Sequence, residues 1–219
     1  MLSLHQEMLL LALNDDGDIE FTAGTSTFRL AFVGACLIEL ALKDKIEVDP
    51  EEVRVIARDI NHDAALTLVM ERLCEHSTPQ RLRFWLSHLQ EDFQEITRLT
   101  LKSLCDQGIL KSEESRFLWV LSSRKYPVID GTEKKEAKLR IMETLLGDSI
   151  PSPEDSVLIG LARVGGLLEA FLSTSEIARL EDRLEQVSNL DLTAGLVELA
   201  IQEEQEAIAR AMLASPYPI

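Results

Sequence analysis

The chain has 219 residues, 46% apolar and 27% charged, with a formal net charge of −16. That length and apolar content suit one large globular domain and exclude wholesale disorder. The acidic excess repels duplex DNA and anionic lipid at long range, so contact with either needs a local basic patch.

Residues 3–13, "SLHQEMLLLAL", predict a short helix closed by the turn "NDDGD", with "IEF" at 19–21 as a brief strand. From Ser26 to Lys43 apolar residues cover most of the circumference, which predicts a helix buried on nearly all sides at the centre of the domain. Arg29 and Glu39 interrupt it, so it is too short to span a bilayer. "KIEVD" predicts a strand. Asp49-Pro50-Glu51-Glu52 carries helix-start chemistry and predicts a helix to about Asp59, followed by another over Ala64–Glu75. In that reading Asp59 and His62 share a helix turn, as a surface pair. Thr78-Pro79 repeats the start signal before "QRLRFWLSHL". The next helix runs from Glu91 to Gln107 and stops at Gly108.

"SRFLWVLSSRKYPV" follows, with five consecutive apolar residues, Phe117, Leu118, Trp119, Val120 and Leu121. The run predicts one strand of a hairpin, with "GILKSEES" as its partner. One face is expected on the domain's own core and the other offered to a second copy or a bilayer. Beyond it, Glu133–Leu146 predicts a basic amphipathic helix. Ser152-Pro153 starts a long apolar helix with Gly160, Gly165 and Gly166 as close-contact points. Ser173 and Glu176 form a capping-box pattern, and Asp191–Leu213 a last helix. The expectation is a mostly α, single globular domain over residues 1–213, a buried central helix bundle with a β-hairpin, and a proline-broken tail at 214–219.

Catalytic chemistry is missing from this pattern. Cys74 and His76 have no second pair at zinc-ligand spacing, "VGGLL" lacks a phosphate cradle's lysine, and no serine sits in a nucleophile elbow. No metal, no cofactor and no enzymatic activity are expected. Three unclustered cysteines point to free thiols in a reducing compartment, and no secretory signal precedes the first helix. Charge is more telling: residues 116–140 hold Arg116, Arg124, Lys125, Lys134, Lys135, Lys138 and Arg140 against three acids, a local charge of +4. Basic charge beside an apolar hairpin is what a peripheral membrane contact needs; a surface salt-bridged to the chain's own acids is the alternative.

Four blocks, "LSLHQEMLLLAL" (2–13), "ACLIELALKDKI" (35–46), "LKSLCDQGILKSEESRFLWV" (101–120) and "YPV" (126–128), resemble the Golgi phosphoprotein 3 family in order and spacing. The resemblance implies a helical domain with a projecting hairpin used for self-association and membrane approach. It also implies a phosphoinositide-binding peripheral adaptor with bacterial relatives, cytoplasmic or on the inner face of a membrane. The family's headgroup positions fall on Gly24, Val33, Gln94 and Thr97, and none matches. Arg29 and Arg98, each one helical turn from such a position, become the candidates for a displaced anion site, with Arg81 or Arg83 alongside. The expected partners are therefore anionic lipid or phosphoinositide, or a second copy through Phe117–Leu121 with Arg116, Arg124 and Lys125 as basic flank. A winged-helix nucleic-acid binder ranks below both, because the helix before the hairpin is too acidic to read a groove.

Overall fold

A computed structural model describes residues 2–14, 17–19, 25–60, 62–117, 121–129 and 131–214. Two buried, predominantly apolar helices set the architecture. In α1 (Leu4–Ala12) every residue is buried, and in α2 (Thr25–Leu42) residues 30–40 are all buried. A helix that is apolar all round has no solvent face, so it must sit inside a ring of other elements. α1 packs along α2, and around the pair lie α3 (Ala64–Glu75), α4 (Leu82–His88), α5 (Phe93–Asp106), α6 (Thr132–Leu146), α7 (Pro153–Val164) and α9 (Leu192–Ala214). α8 (Thr174–Ser188) packs outside against α7 and α6. The domain is mostly helical, as expected, with its central bundle buried.

Local chemistry explains the element ends. Asp63 caps α3 by accepting the Leu66 amide at 3.0 Å, Ser152 caps α7, and Ser173 with Glu176 forms the capping box of α8. Gly108, at φ +75°, lets the chain leave α5 as its sequence position implied. The glycines in and just after α7 are close-contact points. Gly160 faces Ser188, and a Cβ on Gly165 would meet Ala31 at 3.2 Å.

The segment after α2 corrects one expectation. No helix runs from residue 50 to 59: β1 (Ile46–Val48) and β2 (Val53–Val55) pair antiparallel, with Ile46 opposite Val55. Asp49 spends its side chain on the turn, accepting the Glu51 amide at 3.0 Å, while its own amide donates to the Glu52 carbonyl at 3.0 Å. Asp-Pro serves a turn as well as a helix start, and the β-branched valines that follow decide for strand. Asp59 and His62 therefore share no helix turn; Asp59 pairs with Lys45 at 2.9 Å. Thr78-Pro79 likewise precedes a bridge between Gln80 and Val53, and α4 starts only at Leu82.

The second hairpin is β3 (Glu113–Phe117) with β4 (Leu121–Lys125). Its register differs from the one expected. Phe117 and Leu121 are opposite each other as the last pair, so the apolar run straddles the closure of the hairpin instead of forming one of its arms. The "SSRK" that follows it supplies the second strand. Leu118, Trp119 and Val120 lie outside the described residues, as do 20–24 with most of the "IEF" segment and the end of the tail, 215–219.

Candidate functional site

The hairpin's base is fixed to the body by backbone groups. Leu110 bridges Val128, Lys111 N donates to the Pro127 carbonyl and Ile129 N to the Ile109 carbonyl, both at 3.0 Å. Tyr126 N donates to the Gly17 carbonyl at 3.1 Å. Gly17 has φ +78°, and a Cβ there would stand 2.3 Å from the Tyr126 and Pro127 backbone, so only glycine fits. Ile109 and Leu110 are buried below the base. Beyond it, β3 and β4 make their extended contacts only with each other among the described elements.

The basic stretch divides in two. On the hairpin, register sets Glu113 opposite Lys125 and Glu114 opposite Arg124, with Arg116 opposite Ser122. On α6 three of the four cations turn toward the body. Lys134 Nζ donates to the Leu13 carbonyl, and Lys138 Nζ lies 5.2 Å from the centroid of Phe171. Arg140 gives two hydrogen bonds of 2.8 Å to Glu7 and sits 3.1 Å from Asp155. Lys135 is exposed, beside the outward Glu136 and Glu143. Most of the basic character predicted for α6 is therefore directed inward.

The three arginines proposed to border an anion site are not brought together. Arg81, at the start of α4, pairs with Glu51 at 2.6 Å. Arg98 forms a two-pronged pair with Glu95, and Arg83 is held by Glu204 at 2.7 Å. Arg29 is different: its guanidinium lies 5.0 Å from the Phe93 centroid, and its enclosed Nε has no hydrogen-bond partner. Arg98 follows Phe93 by five residues, about 140° round α5, so it faces away from the ring that Arg29 covers. Thr97, one turn on from Phe93, is buried with its hydroxyl also unpartnered.

The sequence reading missed a polar ring around the first turn of α1. Successive residues tie to different elements. Leu4 N donates to Glu39 on α2 at 2.8 Å, His5 lies 3.4 Å from the α3 cap Asp63, Gln6 donates to Ser103 on α5 at 3.1 Å, and Glu7 receives Arg140 of α6. Burial pushes the Glu7 carboxyl above its ordinary value, opposed by the hydrogen bonds from Arg140. A cavity of about 510 Å³ opens beside this turn, with the caps Ser3, Asp63 and Ser152 and both Glu39 and Arg140 in its wall. "HQE" at the head of an otherwise apolar helix was the visible clue; a helix buried on every side must bring partners for such residues.

A helical body built round two buried helices, with an antiparallel hairpin hung from it by backbone bonds, defines the class of protein. The family model described as Golgi phosphoprotein 3 (GPP34) matches residues 4–204, from the start of α1 well into α9, and the chain belongs to that family. No curated protein gives a match.

Proposed function

We propose that this protein is a non-catalytic adaptor that attaches to an anionic membrane surface from the cytoplasmic side through the β3–β4 hairpin. The observation that carries this reading is the hairpin's setting: a backbone-bonded base and two strands whose extended contacts, among the described elements, are with each other. Phe117 pairs with Leu121 at the last described rung, Leu118, Trp119 and Val120 stand between them in the sequence, and Arg116, Arg124 and Lys125 are on the strands. Covering large apolar side chains contributes about 1.5–3 kcal/mol for each one fully buried. Each nearby cation adds about 1 kcal/mol against anionic lipid. Among the described residues no helix is long and apolar enough to cross a membrane, which fits attachment to a surface. Arg29, whose guanidinium lies over Phe93 and whose Nε has no hydrogen-bond partner, is the position best suited to receive an anionic headgroup.

Flotation with liposomes tests this. Recovery should rise with the anionic lipid fraction, fall with salt, and be lost when Phe117, Trp119 and Leu121 become serine. Equal recovery with neutral and anionic vesicles would sink it. One observation favours a second reading, self-association. The opposed charges at Glu113–Lys125 and Glu114–Arg124 leave the strands nearly neutral, which suits a protein partner more than a charged surface. Under that reading Trp119→Ser abolishes assembly in light scattering while flotation is unchanged.

A further inference from the structure

The polar ring around α1 contains a histidine that makes no hydrogen bond through either ring nitrogen, Nδ1 or Nε2. That residue, His5, is fully buried. Its Nε2 stands 3.4 Å from Asp63 Oδ2, near enough for attraction but not aligned as a hydrogen bond. The charged groups that face it are known from each neighbouring element. α3 supplies Asp63 at its cap, and α2 supplies Glu39 and Lys43, themselves paired at 2.8 Å. The buried Cys36 thiol shares Asp63 and Glu39 as neighbours. Beyond His5 on α1 itself lies Glu7, tied to Arg140.

We propose that the first turn of α1 is an acid-released latch, docked while His5 is neutral and opened when the imidazole takes a proton from solvent. A neutral ring tolerates this site because only weak dipoles are desolvated. A charged one would have to shed its water in a pocket where Glu39 is committed to Lys43 and the Leu4 amide. Asp63 holds the Leu66 amide through Oδ1, leaving the imidazolium only Oδ2, at 3.4 Å and out of hydrogen-bond alignment. Hydrating the ring instead requires the turn to lift, which breaks the Leu4–Glu39 and Gln6–Ser103 bonds at the mouth of the adjoining cavity.

The direction of the effect follows from linkage. Burial pulls the His5 imidazole below its ordinary value, against the attraction of Asp63 and Glu39. A group held below its unfolded value contributes stability that is complete above that value, about 6.5 for histidine, and lost as pH falls through it toward the folded one. Glu7 has the opposite sign. Its raised carboxyl favours the native state as acid is added, but only nearer the carboxylate range. Between about pH 6.5 and pH 5 the histidine therefore governs the turn.

Hydrogen exchange on the full chain at pH 7.5 and 5.5, corrected for the intrinsic rate, tests the latch. Protection of the Leu4, Glu7 and Met8 amides should drop about tenfold, the factor expected about one pH unit below histidine's ordinary value, while Leu158 and Ile159 of α7 hold theirs. His5→Leu should remove the pH dependence. A flat wild-type profile, or the same drop in His5→Leu, overturns the proposal. Imidazole nitrogen shifts of the wild type decide independently of that variant. The ring should stay neutral wherever the three amides are protected, and a ring that charges while they remain protected rules the latch out.

Discussion

The first turn of α1 and the β3–β4 hairpin are attached to the same domain in opposite ways. Residues 4–7 are buried, and each is tied by a polar bond or charge to a different helix. The hairpin is held by its own ladder and by a few backbone bonds at its base. Changes in the first region should therefore be read as stability, and changes in the second as binding. The sharpest test uses equal truncations. Leu9→Ala deletes a fully buried side chain and should cost about 3 kcal/mol, seen as a lower urea midpoint with unchanged slope. Leu121→Ala, on a strand packed at length only on its partner, should stay within about 0.5 kcal/mol. Comparable losses at both positions would break the division.

How far the sequence foretold this depends on whether a feature is local or distributed. The starts of α3, α7 and α8 were legible nearly to the residue because Asp63, Ser152 and Ser173 do their capping within one turn of chain. By contrast, α7 ends at Val164, before the Gly165 and Gly166 that the sequence assigned to it. α2 was legible from its circumference of apolar residues. The β1–β2 turn was not, because Asp49-Pro50 satisfies both a turn and a helix start, and the pairing of Val53 with Val48 that settles it is a contact between strands. The same holds at the candidate site. The apolar run was visible, but the register that places Phe117 opposite Leu121 is a property of two strands. The inward turn of Lys134, Lys138 and Arg140 depends on Leu13, Phe171 and Glu7, all distant in sequence.

Arg140 sharpens the comparison from the buried side. Glu7 is 8% exposed and Arg140 is its charged partner, so Arg140→Met leaves a carboxylate stranded near the core. About 2–3 kcal/mol should be lost at neutral pH, in line with breaking one half of a largely buried pair. The deficit relative to wild type should shrink on acidification, because protonating Glu7 removes the unpaired charge. Replacing both, as Glu7→Leu with Arg140→Met, should recover most of it in thermal melts, since neither group is then left unsatisfied. No recovery in the double variant would mean that the pair also positions α6 in a way methionine and leucine do not reproduce.

The loop that follows α1 meets the hairpin at Gly17, where a smaller effect than at Leu9 or Arg140 is expected. Its carbonyl accepts the Tyr126 amide, and its backbone lies against Tyr126 and Pro127 at the root of the hairpin. Gly17→Ala places a methyl 2.3 Å from that backbone in a left-handed conformation that alanine disfavours by about 1–2 kcal/mol. Backbone cannot rotate aside as a flexible side chain would, so the loop and the hairpin root must part. Because the loss falls at the junction, global stability should drop by only about 1–2 kcal/mol, while the Tyr126 amide loses its exchange protection and liposome recovery falls. If recovery is unchanged although the Tyr126 amide exchanges freely, a hairpin loosened at its root still binds, and the fixed base is not what the membrane contact requires.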